Sequence, residues 1–413
     1  MRSVSRAART TAKQRNTIRS GAGAATQFQR RAIVNVRYSS SRVKGSWKAH
    51  GRYLERESAA GKLHTQEHER LDSHCDCPIH AVAEEWHKTG DTRLFKIIIS
   101  PEDGQTAAFR TTSSDMIRAL EQRTGEKLEW AGIVHRNTDH PHAHIILRGR
   151  TQSGNQLFIQ PKIIREVLRD EVQRSLTRQL GPRTVADIER QRTSEIGAFR
   201  VTSVDRGMAK RLGRGTDFAH ISPLNDLEDR RLKALAGFGL ARLDGGKWAV
   251  RSDFAQQLRQ MKDLQDRARV LFRSGAAISD PHAPMEYGTQ SRKLIGRVLL
   301  NSEDERTGQF QTAFETLDGK VVILRHDGTL RAAWARGDLE AGNIVSIDSL
   351  KRDPSCLYAA ALGSDENILR DAKALDGIAQ KARAMGVAIS ESDKGRMGEL
   401  RRSIRGRRSE ISY

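Results

Sequence analysis

Alternating apolar and polar positions at Arg31–Tyr38 predict a strand, and Gly45–Glu57 carries helical spacing through Trp47, His50 or Gly51, and Leu54. Residues 58–92 are polar and give no clear element. Arg93–Ile99 reads as a strand that ends at the turn Ser100-Pro101-Glu102-Asp103-Gly104. Ser113 or Ser114 suits the cap of a helix carrying Met116, Ile117 and Leu120, with Gly125 at its end. Trp130–Val134 and Ile145–Leu147 then read as two sides of a hairpin over about 128–149, turning at Asp139-His140-Pro141. Ile164, Leu168, Val172 and Leu176 recur every four residues and predict a helix stopped by Gly181-Pro182. This order defines an α+β domain with a mainly antiparallel sheet.

The second half reads differently. Residues 200–220 are basic and contain glycine, as a linker does. A helix over Leu224–Phe238, a hairpin over Leu240–Val250 turning at Asp244-Gly245-Gly246, and a helix over Phe254–Leu271 follow in the order of a winged-helix module. From about 293 to 350 short strands dominate, at Ile295–Leu300, Gln311–Phe314, Val321–Leu324 and Ile344–Ile347, with turns at Asp318-Gly319 and Asp327-Gly328. They predict a small β-barrel or sandwich. The expected organisation is a disordered basic arm at 1–28, a nuclease-sized domain at 29–200, a linker at 201–220, a winged-helix-like module at 221–285, a small β-barrel at 286–360, and a helical, basic tail at 361–413.

Charge narrows the partner. The 413 residues hold 71 Lys+Arg against 51 Asp+Glu, a net charge of +20, with 37% hydrophobic and 5% aromatic residues. Such a surface favours a polyanion, and no apolar run approaches the roughly 20 residues that span a bilayer, so nucleic acid is the expected partner, without membrane insertion. Three cysteines, Cys75, Cys77 and Cys356, fit a reducing cytoplasm and exclude a disulfide scaffold. The sequence His74-Cys75-Asp76-Cys77-Pro78-Ile79-His80 lacks the second ligand pair of a structural zinc site and reads as a polar surface loop. The first 54 residues contain 13 Lys+Arg and no acid, which suits either an arm that tracks phosphates or an organellar transit peptide.

The candidate chemistry lies in His135–His144, HRNTDHPHAH. On a strand His142 and His144 share a face, while Ile145 and Leu147 point into a core. His135 reaches the same spot if its strand pairs antiparallel with theirs, giving a three-histidine metal site with an open coordination position. His140 is a turn residue beside it. On a basic protein such a centre points to phosphodiester chemistry, whose nucleophile is either a metal-bound water or a tyrosine. Tyr53 stands between Arg52 and Arg56, which can hold flanking phosphates; a helix-surface aromatic is the plainer alternative.

Three motifs in order, HGRYLERE around Tyr53, FKIIISPEDG ending its strand at Ser100, and HRNTDHPHAHIILRG, resemble the conjugative relaxases of the P mobilisation class, the group that includes the border endonuclease of plant-directed transfer DNA. The resemblance implies that Tyr53 attacks the scissile phosphate at a transfer origin and stays on the DNA 5′ end. It implies that His135, His142 and His144 hold a divalent ion, magnesium or manganese by family habit although imidazoles favour zinc, copper, nickel or iron by affinity. Asp139 would orient a histidine or help activate the tyrosine, and Ser100 would contact DNA beside the nick. Implied partners are single-stranded transfer-origin DNA, relaxosome accessory proteins and a type IV secretion coupling protein, with a cytoplasmic location and export alongside the DNA. LGPRTVADIER at Leu180–Arg190 and the region after it resemble a long C-terminal extension of uncharacterised function found in some of these relaxases. No phosphate loop GxxxxGK[ST] is present, which leaves helicase activity unsupported. A rolling-circle replication initiator, another metal-dependent nuclease and a noncatalytic nucleic-acid binder remain as alternatives. Residues 394–413, with seven Lys+Arg and two acids, read equally as a secretion signal or as a solvated tail adding DNA affinity.

Overall fold

The computed structural model describes residues 28–59, 69–71, 77–136, 138, 140–212, 217–273, 285–287, 293–303, 309–350 and 356–410. The expected basic arm, apart from residue 28, lies outside the described residues, as do Cys75 and Asp139. The chain divides into two compact units, one of residues 30–181 with 274–413 and one of residues 1–29 with 182–273.

The larger unit begins with β1 (Ala32–Ser40), α1 (Ser46–Ala59), α2 (Ile79–Lys88), β2 (Arg93–Pro101), α3 (Phe109–Thr124), β3 (Trp130–His135) and β4 (His142–Arg148), and a π-helical turn at Ile164–Leu168 leads into α4 (Arg169–Leu180). The strands form an antiparallel sheet in the order β1-β2-β4-β3. Period-two alternation gives it two buried faces. Phe95, Ile97, Val134, Ala143, Ile145 and Leu147 meet Met116, Leu120, Val172 and Leu176 of α3 and α4 on one side. Leu94, Ala131, Ile133 and Ile146 meet Trp47, Leu54, Ile79 and Ala83 of α1 and α2 on the other. Helix α3 starts four residues before the expected serine cap, because Gln179 accepts the Ala108 N–H at 3.1 Å and so replaces a local cap with a tertiary one. Gly125 closes it at φ 74° as expected. Gly51 lets α1 and α2 touch: a Cβ there would stand 2.4 Å from the His80 Cα.

The smaller unit contains α5 (Val185–Ile196), α6 (Ser203–Ala209), β5 (Phe218–Ile221), α7 (Asp226–Gly237), β6 (Ala241–Asp244), β7 (Lys247–Arg251) and α8 (Phe254–Arg273). The expected hairpin is present, and Gly245 and Gly246, at φ 55° and 75°, supply the two positive angles of a type I′ turn. Strand β5 pairs with β7 to make a three-stranded sheet, so the stretch 201–220, expected as a linker, carries a helix and a strand. A fully buried pair organises this unit: Arg231 grips Asp205 through two contacts of 2.9 Å and donates to the carbonyls of Ala198 and Arg200 at 3.0 and 3.1 Å. With its donors used, the charge is tolerated away from water.

The larger unit resumes with β8 (Met285–Tyr287), β9 (Leu294–Glu303), β10 (Phe310–Thr316), β11 (Val321–Arg325), α9 (Gly328–Arg336), β12 (Asn343–Ser349), β13 (Leu357–Ser364), α10 (Asp365–Arg370), α11 (Ala372–Met385) and α12 (Gly395–Glu410). The expected small β-barrel at 286–360 is instead an open sheet, ordered β13-β12-β9-β10-β11-β8, with β13 and β8 at its edges. Two physical reasons account for the difference. Asp327-Gly328 is a helix start rather than a hairpin turn, since the Asp327 carboxylate accepts the Thr329 and Leu330 N–H groups at 2.9 and 2.8 Å. The sheet also buries both faces against helices instead of curling around its own interior: Val298, Phe310, Phe314 and Val345 join the core of α1 and α2, and Ile295, Leu317 and Ile344 join that of α10–α12. The tail is helical as expected but not merely solvated. Met397, Leu400 and Ile404 fill the core, and buried Arg401 donates to the Thr316 carbonyl at 2.7 Å.

Candidate metal centre and nuclease site

His135 and His142 stand directly opposite each other on β3 and β4, and His144 follows two residues on, so all three imidazoles leave the face covered by α1 and α2. They are the one group of potential metal ligands found among the described residues, with one ligand atom from each lying within 4.8 Å of the others. All three are at least 96% buried. Their ring nitrogens are assigned by backbone acceptors. The His142 Nδ1 donates to the His140 carbonyl at 2.8 Å, which leaves its Nε2 lone pair to accept from the His144 Nε2–H at 3.1 Å. The His135 Nε2 donates to the Leu54 carbonyl at 3.0 Å, which puts its lone pair on Nδ1. Burial, then the neighbouring His142, His135, His50 and Lys96, hold the His144 ring well below its ordinary pKa. Three buried imidazoles, two with carbonyl-fixed tautomers, bring ring nitrogens within 4.8 Å of one another and so fit a divalent cation.

The Leu54 carbonyl belongs to the turn of α1 that carries Tyr53, so the tyrosine helix is docked on the histidine cluster. Tyr53 itself is only 7% exposed, and its hydroxyl accepts the Glu303 N–H of β9 at 2.9 Å. Its ring meets Phe310 edge-on at 5.0 Å. The expectation of a helix-surface aromatic is therefore corrected: the second sheet covers this face of α1. Ser100 shares its strand face with Lys96 and Ile98, and Ile98 lies directly opposite His144, so Ser100 is on the histidine side of the sheet. Arg52 is exposed on α1. His140 is exposed and takes part through its carbonyl alone among the contacts described. The Arg56 side chain and Asp139 lie outside the described residues.

Four neighbours of this site escaped the sequence reading. His50, one turn before Tyr53, is buried against Phe310 at 5.4 Å, and burial, Lys96 and Arg331 keep it far below its ordinary pKa. Lys96 pairs with Glu303 at 3.0 Å and lies 4.8 Å above the Phe310 ring. The spacing of His50 to Tyr53 was visible in the sequence. Nothing local joins residues 303 and 310 to residue 53, because that link is made by sheet packing over 250 positions.

Residues 53–177 match the family model of the MobA/VirD2-like relaxase nuclease domain, a span that begins at Tyr53 and contains Ser100 and all three histidines. Residues 228–411 match DUF3363, a family of proteins of unknown function. No curated protein matches the chain. The matches thus support a relaxase nuclease domain of the mobilisation type at residues 53–177, followed by a region similar to a family of unknown function. No helix among the described residues is long and apolar enough to cross a membrane.

Proposed function

We propose that this protein nicks one DNA strand at the transfer origin of a plasmid or integrative element by tyrosine transesterification and remains on the 5′ end for conjugative transfer. The observation that supports this best is the buried convergence of His135, His142 and His144 against the helix that carries Tyr53, inside the matched nuclease domain. A divalent ion there, magnesium or manganese, would polarise a nonbridging phosphate oxygen. Tyr53 supplies the nucleophile: its oxygen forms the new bond to phosphorus, the bond to the 3′ oxygen breaks, and the hydroxyl proton passes ultimately to that released oxygen, giving a free 3′ hydroxyl. One phosphodiester replaces another, so resealing needs no nucleotide. Asp139 orients a histidine or assists proton removal, Ser100 contacts DNA beside the nick, and Arg52 and Arg56 hold flanking phosphates. Because Glu303 engages the Tyr53 hydroxyl, this reaction requires β9 to release it when DNA enters.

The winged-helix-like order of the smaller unit suits contact with DNA or relaxosome accessory proteins, and a type IV coupling protein is the partner for export from the cytoplasm. The test is incubation with end-labelled single-stranded transfer-origin DNA and manganese or magnesium, reading a denaturant-resistant adduct. Tyr53→Phe is expected to abolish the adduct while changing noncovalent DNA affinity by less than about twofold. Cleavage without an adduct would indicate a metal-dependent nuclease that uses water, and neither product would indicate a binder.

A further inference from the structure

Two of the largest exposed rings clamp one cation at the edge of the first sheet. Tyr38 on β1 and Phe158 in the segment after β4 are 63% and 69% exposed. The Arg93 guanidinium lies 5.5 Å from the first ring centroid and 5.0 Å from the second. Isolated exposed aromatics are ordinary. This group differs because its guanidinium, with five N–H donors, makes no hydrogen bond or ion pair among the described residues and is held by ring faces alone. A cavity of about 330 Å³ adjoins Phe158 and is lined also by Arg123 and Gln160, whose side chains make no hydrogen bond among the described residues. Tyr38 stands opposite Phe95, whose side chain is on the α3 and α4 face, away from the histidines. A tyrosine there cannot serve the metal centre.

We infer that Tyr38, Arg93 and Phe158 form a stacking platform for unpaired bases of single-stranded DNA, with Arg93 free to meet a phosphate and the adjoining cavity able to receive a base edge. Ring faces are reachable by unstacked bases and not by those inside a duplex, while the chain's charge of +20 favours the polyanion over an apolar protein partner. The inference rests on the chain handling DNA, but not on Tyr53 or the histidines.

The test is fluorescence anisotropy of the full chain, with chelator present, on a short single strand and on a duplex of equal length. Tyr38→Ala with Phe158→Ala is expected to weaken single-strand binding at least about fivefold, the loss of one stacked base, with duplex binding within about twofold of wild type. Tyr38→Trp with Phe158→Trp should restore it, which separates stacking from a folding defect. Arg93→Gln should lower the single-strand salt slope by about one contact. Unchanged single-strand affinity in the alanine pair, or an equal loss on duplex, overturns the platform. Affinity is read here with chelator present and without cleavage, so failure of the nicking proposal is read in a different assay.

Discussion

At the scale of single residues, the histidine cluster depends on which nitrogen carries each proton. Two backbone carbonyls set this for His142 and His135. Replacing both His142 and His144 by Ala should therefore abolish cleavage and metal binding together; undiminished affinity in a calorimetric manganese titration would remove the site. A second histidine gives a stability prediction away from the metal centre. The His326 Nε2 contacts the Thr312 hydroxyl at 2.7 Å, and that hydroxyl donates to Asn301 at 2.5 Å, so the imidazole is the donor. Its Nδ1 is buried with no hydrogen-bond partner among the described residues, and burial and Arg331, opposed by Asp327, push its pKa down to about 3. The unfolded chain takes up this proton near pH 6.5 while the folded one resists it until about pH 3. Stability is thus full above pH 6.5 and falls with acidification, by about 2 kcal/mol at pH 5 from this group alone. His326→Gln should flatten the dependence of the urea midpoint over that interval.

At the scale of elements, α1 lies between two sheets and presents a different residue to each. Leu54 offers its carbonyl to His135, and Tyr53 turns its hydroxyl to β9. The Lys96–Glu303 pair and Phe310 close the edge of that contact, while the Ser46 Oγ and His50 Nδ1 beside it are buried without hydrogen-bond partners among the described residues. Unsatisfied polar atoms weaken an interface that must part for Tyr53 to reach DNA. Glu303→Gln should accordingly raise the initial rate of adduct formation several-fold while destabilising the fold by about 1–3 kcal/mol. An unchanged rate at saturating DNA would mean that β9 does not limit access to the tyrosine.

At the scale of the whole molecule, the C-terminal helix is part of the core of the larger unit. Truncation after Lys394 removes Met397, Leu400 and Ile404 from that core and Arg401 from the Thr316 carbonyl. Leu400→Ala alone should cost about 2–5 kcal/mol. The truncated chain is expected to show a much lower thermal midpoint and a loss of nicking that low salt does not rescue; rescue at low salt would identify a phosphate clamp instead. A secretion signal is better tested on the surface of α12, where exposed Arg402 can be changed to Ser with nicking intact and transfer to a recipient measured.

What was legible in the sequence is what local spacing governs. The strand alternation already assigned His142 and His144 to one face and brought His135 to the same spot on condition of an antiparallel pairing, which β3 and β4 make, and Gly125, Gly181 and the Gly245-Gly246 pair marked element ends through their backbone freedom. Local chemistry failed where two structures share one signal. Asp327-Gly328 serves a turn or a helix cap equally well, and the choice for α9 went with the sheet against which Leu330 and Trp334 pack. Gln179, distant in sequence, replaced the serine cap expected for α3. The burial of Tyr53 was beyond any local reading, because it arises from Glu303 and Phe310 arriving on a second sheet whose apolar face shares one core with α1 and α2. Periodicity determines which way a side chain points from its own element, whereas the packing of apolar faces determines what that side chain meets.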